Sequence, residues 1–155
     1  MPRYDVSLEV TVPTPEIDVA GLLALAERVM TGESVAEGAA LAVLVTDDDD
    51  LRSMNRQFLG IDEPTDVLSF PDEAGDFVQG ISDQVLLGDI AIALPLATRQ
   101  AEAVGHSIDA EVSHLLVHGI LHLCGYDHVA SMEDEARMRS REEHYLGDLG
   151  AVHKH

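Results

Sequence analysis

Cysteine is nearly missing from this chain. Cys124 stands alone among 155 residues, so no internal disulfide can form, which agrees with a reducing compartment. Positive charge is also scarce: nine Lys and Arg face 29 Asp and Glu, a formal net charge of −20, and Lys154 is the single lysine. Such a surface repels polyanions at low salt, and Lys and Arg contacts to phosphate dominate nucleic-acid affinity. The global charge therefore weighs against a nucleic-acid partner without excluding one. A bound cation with a few arginines makes a local positive cleft, and salt near 1 M shrinks the Debye length to about 3 Å. The same acidic surface suits basic protein partners. No run approaches the roughly 18 apolar residues that span a bilayer, and Met1-Pro2-Arg3-Tyr4-Asp5 holds no apolar signal block. A cytoplasmic location with no membrane partner is expected. A mass of 16.7 kDa and 46% hydrophobic content suit one soluble domain over residues 1–155, able to bury a core without disulfides. No internal repeat or low-complexity tract is visible.

The informative residues are concentrated near the C-terminus, in His118-Gly119-Ile120-Leu121-His122-Leu123-Cys124-Gly125-Tyr126-Asp127-His128. His118 and His122 are four apart, so on a helix their imidazoles project from one face, a turn apart. Gly125 can end that helix in the left-handed conformation, letting the chain double back and bring in His128. Three neutral imidazoles with a fourth position open are a ligand set for catalytic zinc, one ion per chain; nickel or copper would also accept imidazoles. A single histidine on an apolar helix is ordinarily a core residue, but three at this spacing around a turn glycine are hard to explain as packing. The spacing matches the H-x-x-x-H-x-x-G-x-x-H skeleton of the metzincin peptidases, except that their Glu after the first His, the general base, is here Gly119. Cys124 lies in the motif at the wrong spacing for a ligand and reads as a small apolar filler. His114, one turn back on the same face, either serves the chemistry or is simply buried. Asp127 either holds an imidazole N–H or caps the turn.

The rest of the chain alternates between strand and helix patterns. Residues 4–12 read as a strand with Val6, Leu8, Val10 and Val12 on one face, ended by Pro13-Thr14-Pro15. Asp18 caps a helix over 19–30. Residues 39–46 form a buried strand, and a helix follows over 48–57. The acidic run Asp47–Asp50 opens that helix by satisfying free N–H groups and the dipole, with a second cation site as the alternative. A strand over 67–70, a loop over 72–83, a strand over 86–93 and a helix over 95–104 opened by Pro95 come next. The metal helix is expected over 107–124, packed on the sheet through Leu115, Val117 and Leu121, and a last charged helix over 131–146. This predicts an α+β fold: a single mixed sheet of about four strands with four to five helices and a zincin-like metal helix.

The eleven-residue histidine motif resembles the defining motif of the YbeY family of bacterial rRNA maturation factors. Pro64-Thr65-Asp66-Val67-Leu68-Ser69-Phe70-Pro71 resembles that family's central segment, and Leu87-Gly88-Asp89-Ile90, Gln100-Ala101 and Gly105-His106-Ser107 resemble the segment before the metal helix. The resemblance covers about residues 40–146. It implies a zinc-dependent endoribonuclease cutting single-stranded RNA, acting on the 16S rRNA precursor at its 3′ end and in quality control of ribosomes, with the small subunit and its proteins as partners. It also implies that Asp66 and Ser69 line the cleft. One position departs: the family has an arginine after Asn-x-x-aromatic, and here Asn55-Arg56-Gln57-Phe58 is followed by Leu59. Arg56, one turn away, either substitutes for that arginine against phosphate or is a solvated helix residue. The candidate catalytic residues are therefore His114, Arg56 and Asp66, and the candidate metal ligands His118, His122 and His128. Two other classes remain: a zinc peptidase with its base from elsewhere, and a non-catalytic ribosome-assembly factor with structural zinc.

Overall fold

A computed structural model describes residues 4–12, 17–71, 86–125 and 132–147. Strands β1 (Asp5–Val10), β2 (Ala40–Thr46), β3 (Val67–Pro71) and β4 (Leu86–Ala93) form one sheet in the order β1-β2-β4-β3. The β1–β2 and β2–β4 pairs are parallel and β3–β4 is antiparallel, so the sheet is mixed. Among the described residues there are five helices: α1 (Val19–Gly32), α2 (Asp48–Leu59), α3 (Leu94–Val104), α4 (Ile108–Leu123) and α5 (Met132–Leu146). This is the expected α+β fold. None of these helices is long and apolar enough to cross a membrane.

The sequence patterns explain each strand's place. The continuous apolar run Ala40–Val45 becomes an inner strand, with Leu41, Val43 and Val45 buried. Residues 5–10 alternate between exposed and half-buried, as an edge strand should, and Val6, Leu8 and Val10 pack on the main core. On β4, Ile90 and Ile92 join that main core, while Ala91 and Ala93 face a smaller second cluster with Leu51 of α2 and Leu68 of β3. The period of two thus sorts the helices: α1, α4 and α5 contribute to one core and α2 to the other.

Helix α4 carries apolar residues all round and is the central helix, touching α1, α3, α5, β3 and β4. Leu115, Val117 and Leu121 are buried in the main core, as expected of its sheet-packing face. The Ser107 hydroxyl caps it by accepting from the Ala110 N–H at 3.1 Å. At the other end Gly125 adopts φ +104°, and its N–H donates to the His122 carbonyl at 3.0 Å.

The acidic run at 47–50 acts as caps. Asp47 accepts from the Asp50 N–H at 2.8 Å, and the Asp50 carboxylate accepts a hydrogen bond from the Thr46 hydroxyl. Asp48 reaches α3, whose own N-cap residue Ala93 offers no side-chain bond, and accepts from the Leu96 N–H at 3.0 Å and from Arg99 at 2.7 Å. The alternative cation site gains no support, because these carboxylates already serve donors. Boundaries differ modestly from expectation: α1 and α2 each run two residues further, and Pro95 occupies the second helical position behind Leu94. The expected loop over 72–83 and the turn at 13–15 lie outside the described residues.

Helix α5 is fastened to α1. Glu33, at the end of α1, accepts from Arg141 Nε at 2.9 Å and Nη2 at 2.6 Å, and from the Tyr145 hydroxyl. Arg28 donates to the Tyr145 carbonyl. Gly32 makes room for this contact, since a Cβ there would overlap the Tyr145 ring.

Candidate metal centre

Histidines 114, 118 and 122 follow one another along a single face of α4 at the four-residue spacing read from the sequence. The ring centroids of His118 and His122 are 4.7 Å apart, and those of His114 and His118 are 6.2 Å apart. Burial is graded: His114 is buried, while His118 and His122 are half-buried. The ladder therefore runs from the interior towards solvent, with its open end where α4 stops.

Helix α5 lays Glu142 against this ladder. The Glu142 Oε2 lies 2.9 Å from His118 Nδ1, and its Oε1 lies 3.9 Å from His114 Nε2. One ligand atom from each of His114, His118 and Glu142 lies within 4.8 Å of the others, the one such group of three among the described residues. Two imidazoles and a carboxylate, all neutral or anionic donors, fit a divalent cation of the zinc type. The structure thus brings together His114, His118 and His122, and adds a carboxylate. His128 lies outside the described residues.

The other expected site residues come from other elements. Asp66 is half-buried before β3; its carboxylate accepts from Gln100 Nε2 at 3.3 Å and its carbonyl from the Ala93 N–H at 2.9 Å. Those bonds tie it to the N-cap and the middle of α3. Arg56 is exposed on α2, which packs against the opposite face of the sheet from α4, and its carbonyl accepts from the Gly60 N–H at 3.1 Å in the helix C-cap. Leu59, where the arginine was expected, is 60% exposed beside Phe58 and Ile61, which are also exposed. Ser69 does meet the metal helix: its hydroxyl donates to the Gly119 carbonyl at 3.2 Å.

Gly119 explains the missing base. It is buried where α4 lies against the sheet, and a Cβ there would sit 3.0 Å from Ile90 Cδ1 and 3.1 Å from Ser69 Oγ. A side chain there must push Ile90 or Ser69 aside, so packing disfavours a base directly after the first histidine. Cys124 is half-buried against the main core, and burial, followed by the Glu33 carboxylate, pushes its thiol up to about 11. It stays a protonated, apolar filler.

A further buried pair sits at the start of α4, where His106 Nε2 meets Glu111 Oε1 at 2.8 Å. Neither Glu111 nor Glu142 was singled out by the sequence reading, which took the last helix as merely charged. A signal was present: Glu142 is four residues after Met138 and three before Tyr145, both buried. A carboxylate on the core-facing stripe of a helix needs a partner.

Comparison with known proteins identifies the family and the fold. The family model described as Endoribonuclease YbeY matches residues 10–150. A protein named Endoribonuclease YbeY from Pelotomaculum thermopropionicum is 40% identical over 149 residues, 96% of this chain and 97% of the relative. One of that name from Chloroflexus aurantiacus is 45% identical over 127 residues, 81% of this chain and 82% of the relative. The solution structure of a Thermotoga maritima protein shares the fold, with a TM-score of 0.60 at 24% identity over 96% of this chain and 89% of the other.

Proposed function

The chain belongs to the YbeY endoribonuclease family, and from that premise we propose that it is a zinc-dependent endoribonuclease cutting single-stranded RNA. The observation that carries this reading is the α4 ladder of His114, His118 and His122 with Glu142 set against it. His118, His122 and His128 would hold the ion, a three-imidazole set that leaves one position for water or substrate. Bound there, zinc would lower the pKa of a coordinated water towards about 7 and would polarise a phosphoryl oxygen.

The chain's own residues do the rest. His114, at the buried end of the ladder, would act on the leaving group as the general acid of this reading. Asp66 works through Gln100, fixing the start of β3 and so Ser69 beneath the metal helix. Arg56 is solvated and meets phosphates of the strand outside the cleft. The nucleophile is either a water or the RNA's own 2′-hydroxyl.

We place the activity in the cytoplasm, in 3′-end maturation of the 16S rRNA precursor and in ribosome quality control, with the small subunit and its proteins as partners. The acidic surface supports the last point, since ribosomal proteins are basic and the chain carries −20.

The test is cleavage of a labelled single-stranded RNA by zinc-loaded protein beside His118→Ala purified identically. Cutting by the parent alone supports the proposal. No cutting by either, with one zinc bound per parent chain, overturns it in favour of an assembly factor. A 2′-deoxy substitution at the scissile nucleotide identifies the nucleophile: cleavage that survives it excludes the internal hydroxyl.

A further inference from the structure

We propose that Glu142 is the positioning carboxylate of the metal centre: it accepts the Nδ1–H of His118 and so fixes the tautomer that leaves Nε2 bare for the ion. The inference rests on the metal-centre reading above and deepens it.

A neutral imidazole carries one N–H, and an ionised carboxylate can only accept. With an ionised carboxylate beside a neutral ring, the 2.9 Å contact to Nδ1 puts the proton on Nδ1 and leaves the lone pair on Nε2. The longer separation to His114 Nε2, 3.9 Å, is outside hydrogen-bond range, so the bond between the two helices is to His118. Both groups are largely out of solvent, with side-chain exposures of 21% for His118 and 12% for Glu142. There a charge-assisted hydrogen bond is stronger than in water.

The carboxylate is also held from a rigid base. Met138 is buried one turn before it, and its neighbour Arg141 is bonded to Glu33 of α1. Tyr145, one turn later, shares that glutamate. Helix α5 thus meets α1 through one face and the histidine ladder through the next, so the fastening to Glu33 fixes the backbone from which Glu142 reaches His118. Outer partners of this kind orient a ligating histidine and raise its basicity, and losing one weakens metal binding by about 10- to 100-fold.

The experiment uses Glu142→Ala and the isosteric Glu142→Gln in the full chain, with two readouts that need no RNA. Nitrogen-15 NMR of the histidine rings in the metal-free protein at alkaline pH reports the His118 tautomer. Competition with a chelator reports zinc affinity. The parent should show His118 protonated on Nδ1. In Glu142→Ala the proton should redistribute to Nε2, with zinc affinity lower by about 10- to 100-fold. Glu142→Gln, which keeps an acceptor oxygen but no charge, should lie between, and decides the matter if the alanine variant does not fold. A parent His118 protonated on Nε2, or zinc affinities within about twofold in both variants, overturns the proposal. Failure of the metal reading itself looks different: the parent would bind no zinc, and His118→Ala would change nothing.

Discussion

At Gly119 a missing side chain both lets α4 settle on the sheet and removes a peptidase's base. Gly119→Ala should cost about 1–2 kcal/mol in urea unfolding, because overpacking of about 1–3 kcal/mol outweighs a helix-propensity gain of up to about 1 kcal/mol. Gly119→Glu should cost about 3 kcal/mol or more, since it adds an uncompensated buried charge to the overlap; a glutamate tolerated there would reopen the peptidase alternative. Leu59 makes a second residue-level test. It is exposed, so Leu59→Arg should leave the melting temperature unchanged. If an arginine there stabilises developing charge, cleavage of single-stranded RNA should rise about tenfold, below the 10²–10³ that a single well-placed donor can supply. The sequence showed the glycine and the leucine as departures. It could not show that one lies against Ile90 and the other in solvent, because burial depends on partners distant in the chain.

Helix α5 carries the carboxylate, and its fastening to α1 has measurable consequences. Arg141→Ala leaves Glu33, 6% exposed, without its guanidinium. Because Arg141 is itself 31% exposed, the loss should be about 2 kcal/mol, less than for a fully buried pair. Zinc binding should weaken with it, as Glu142 loses its anchor. The same cluster produces an alkaline signature. Burial, then the Glu33 carboxylate, pushes the Tyr145 hydroxyl up from 10.0 to about 12, against the pull of Arg141. An acid held neutral in the fold ionises first in the unfolded chain. Its stabilisation is thus intact below pH 10 and lost as pH climbs from about 10 to about 12. Thermal melts across that window should show the decline, and Tyr145→Phe should flatten it. The helices themselves were legible because caps and periodicity are local: Asp18, Asp47, Ser107 and Gly125 all mark the ends that the sequence assigned them. Their mutual docking was not. Asp48 capping α3 and Glu142 meeting His118 join residues 48 and 24 apart, which no local pattern encodes.

For the molecule as a whole, a charge of −20 sets the response to salt. Self-repulsion opposes the compact state, so melting temperature should rise as salt is added towards about 1 M, where the Debye length falls to about 3 Å. RNA affinity should lack the steep loss with salt that a basic binder shows, because few phosphates are neutralised; a steep negative salt slope would point to a basic track outside this account. The mixed sheet and its strand number were readable from the order of apolar runs. The order β1-β2-β4-β3 was not, nor was the side of the sheet taken by α2, and that is why Arg56 reads as a neighbour of the site in sequence yet lies on the other face in space. One further consequence follows from the bond between Arg141 and Glu33, which spans 108 residues. A ribosome makes the sheet and the histidine helix before it makes α5, and the entropy of closing so long a loop must be met before that last helix can dock. The histidines are therefore gathered early and the glutamate arrives late. A nascent chain of this kind holds its histidine helix before the helix that carries Glu142, so the bond between His118 and Glu142 is among the last to form.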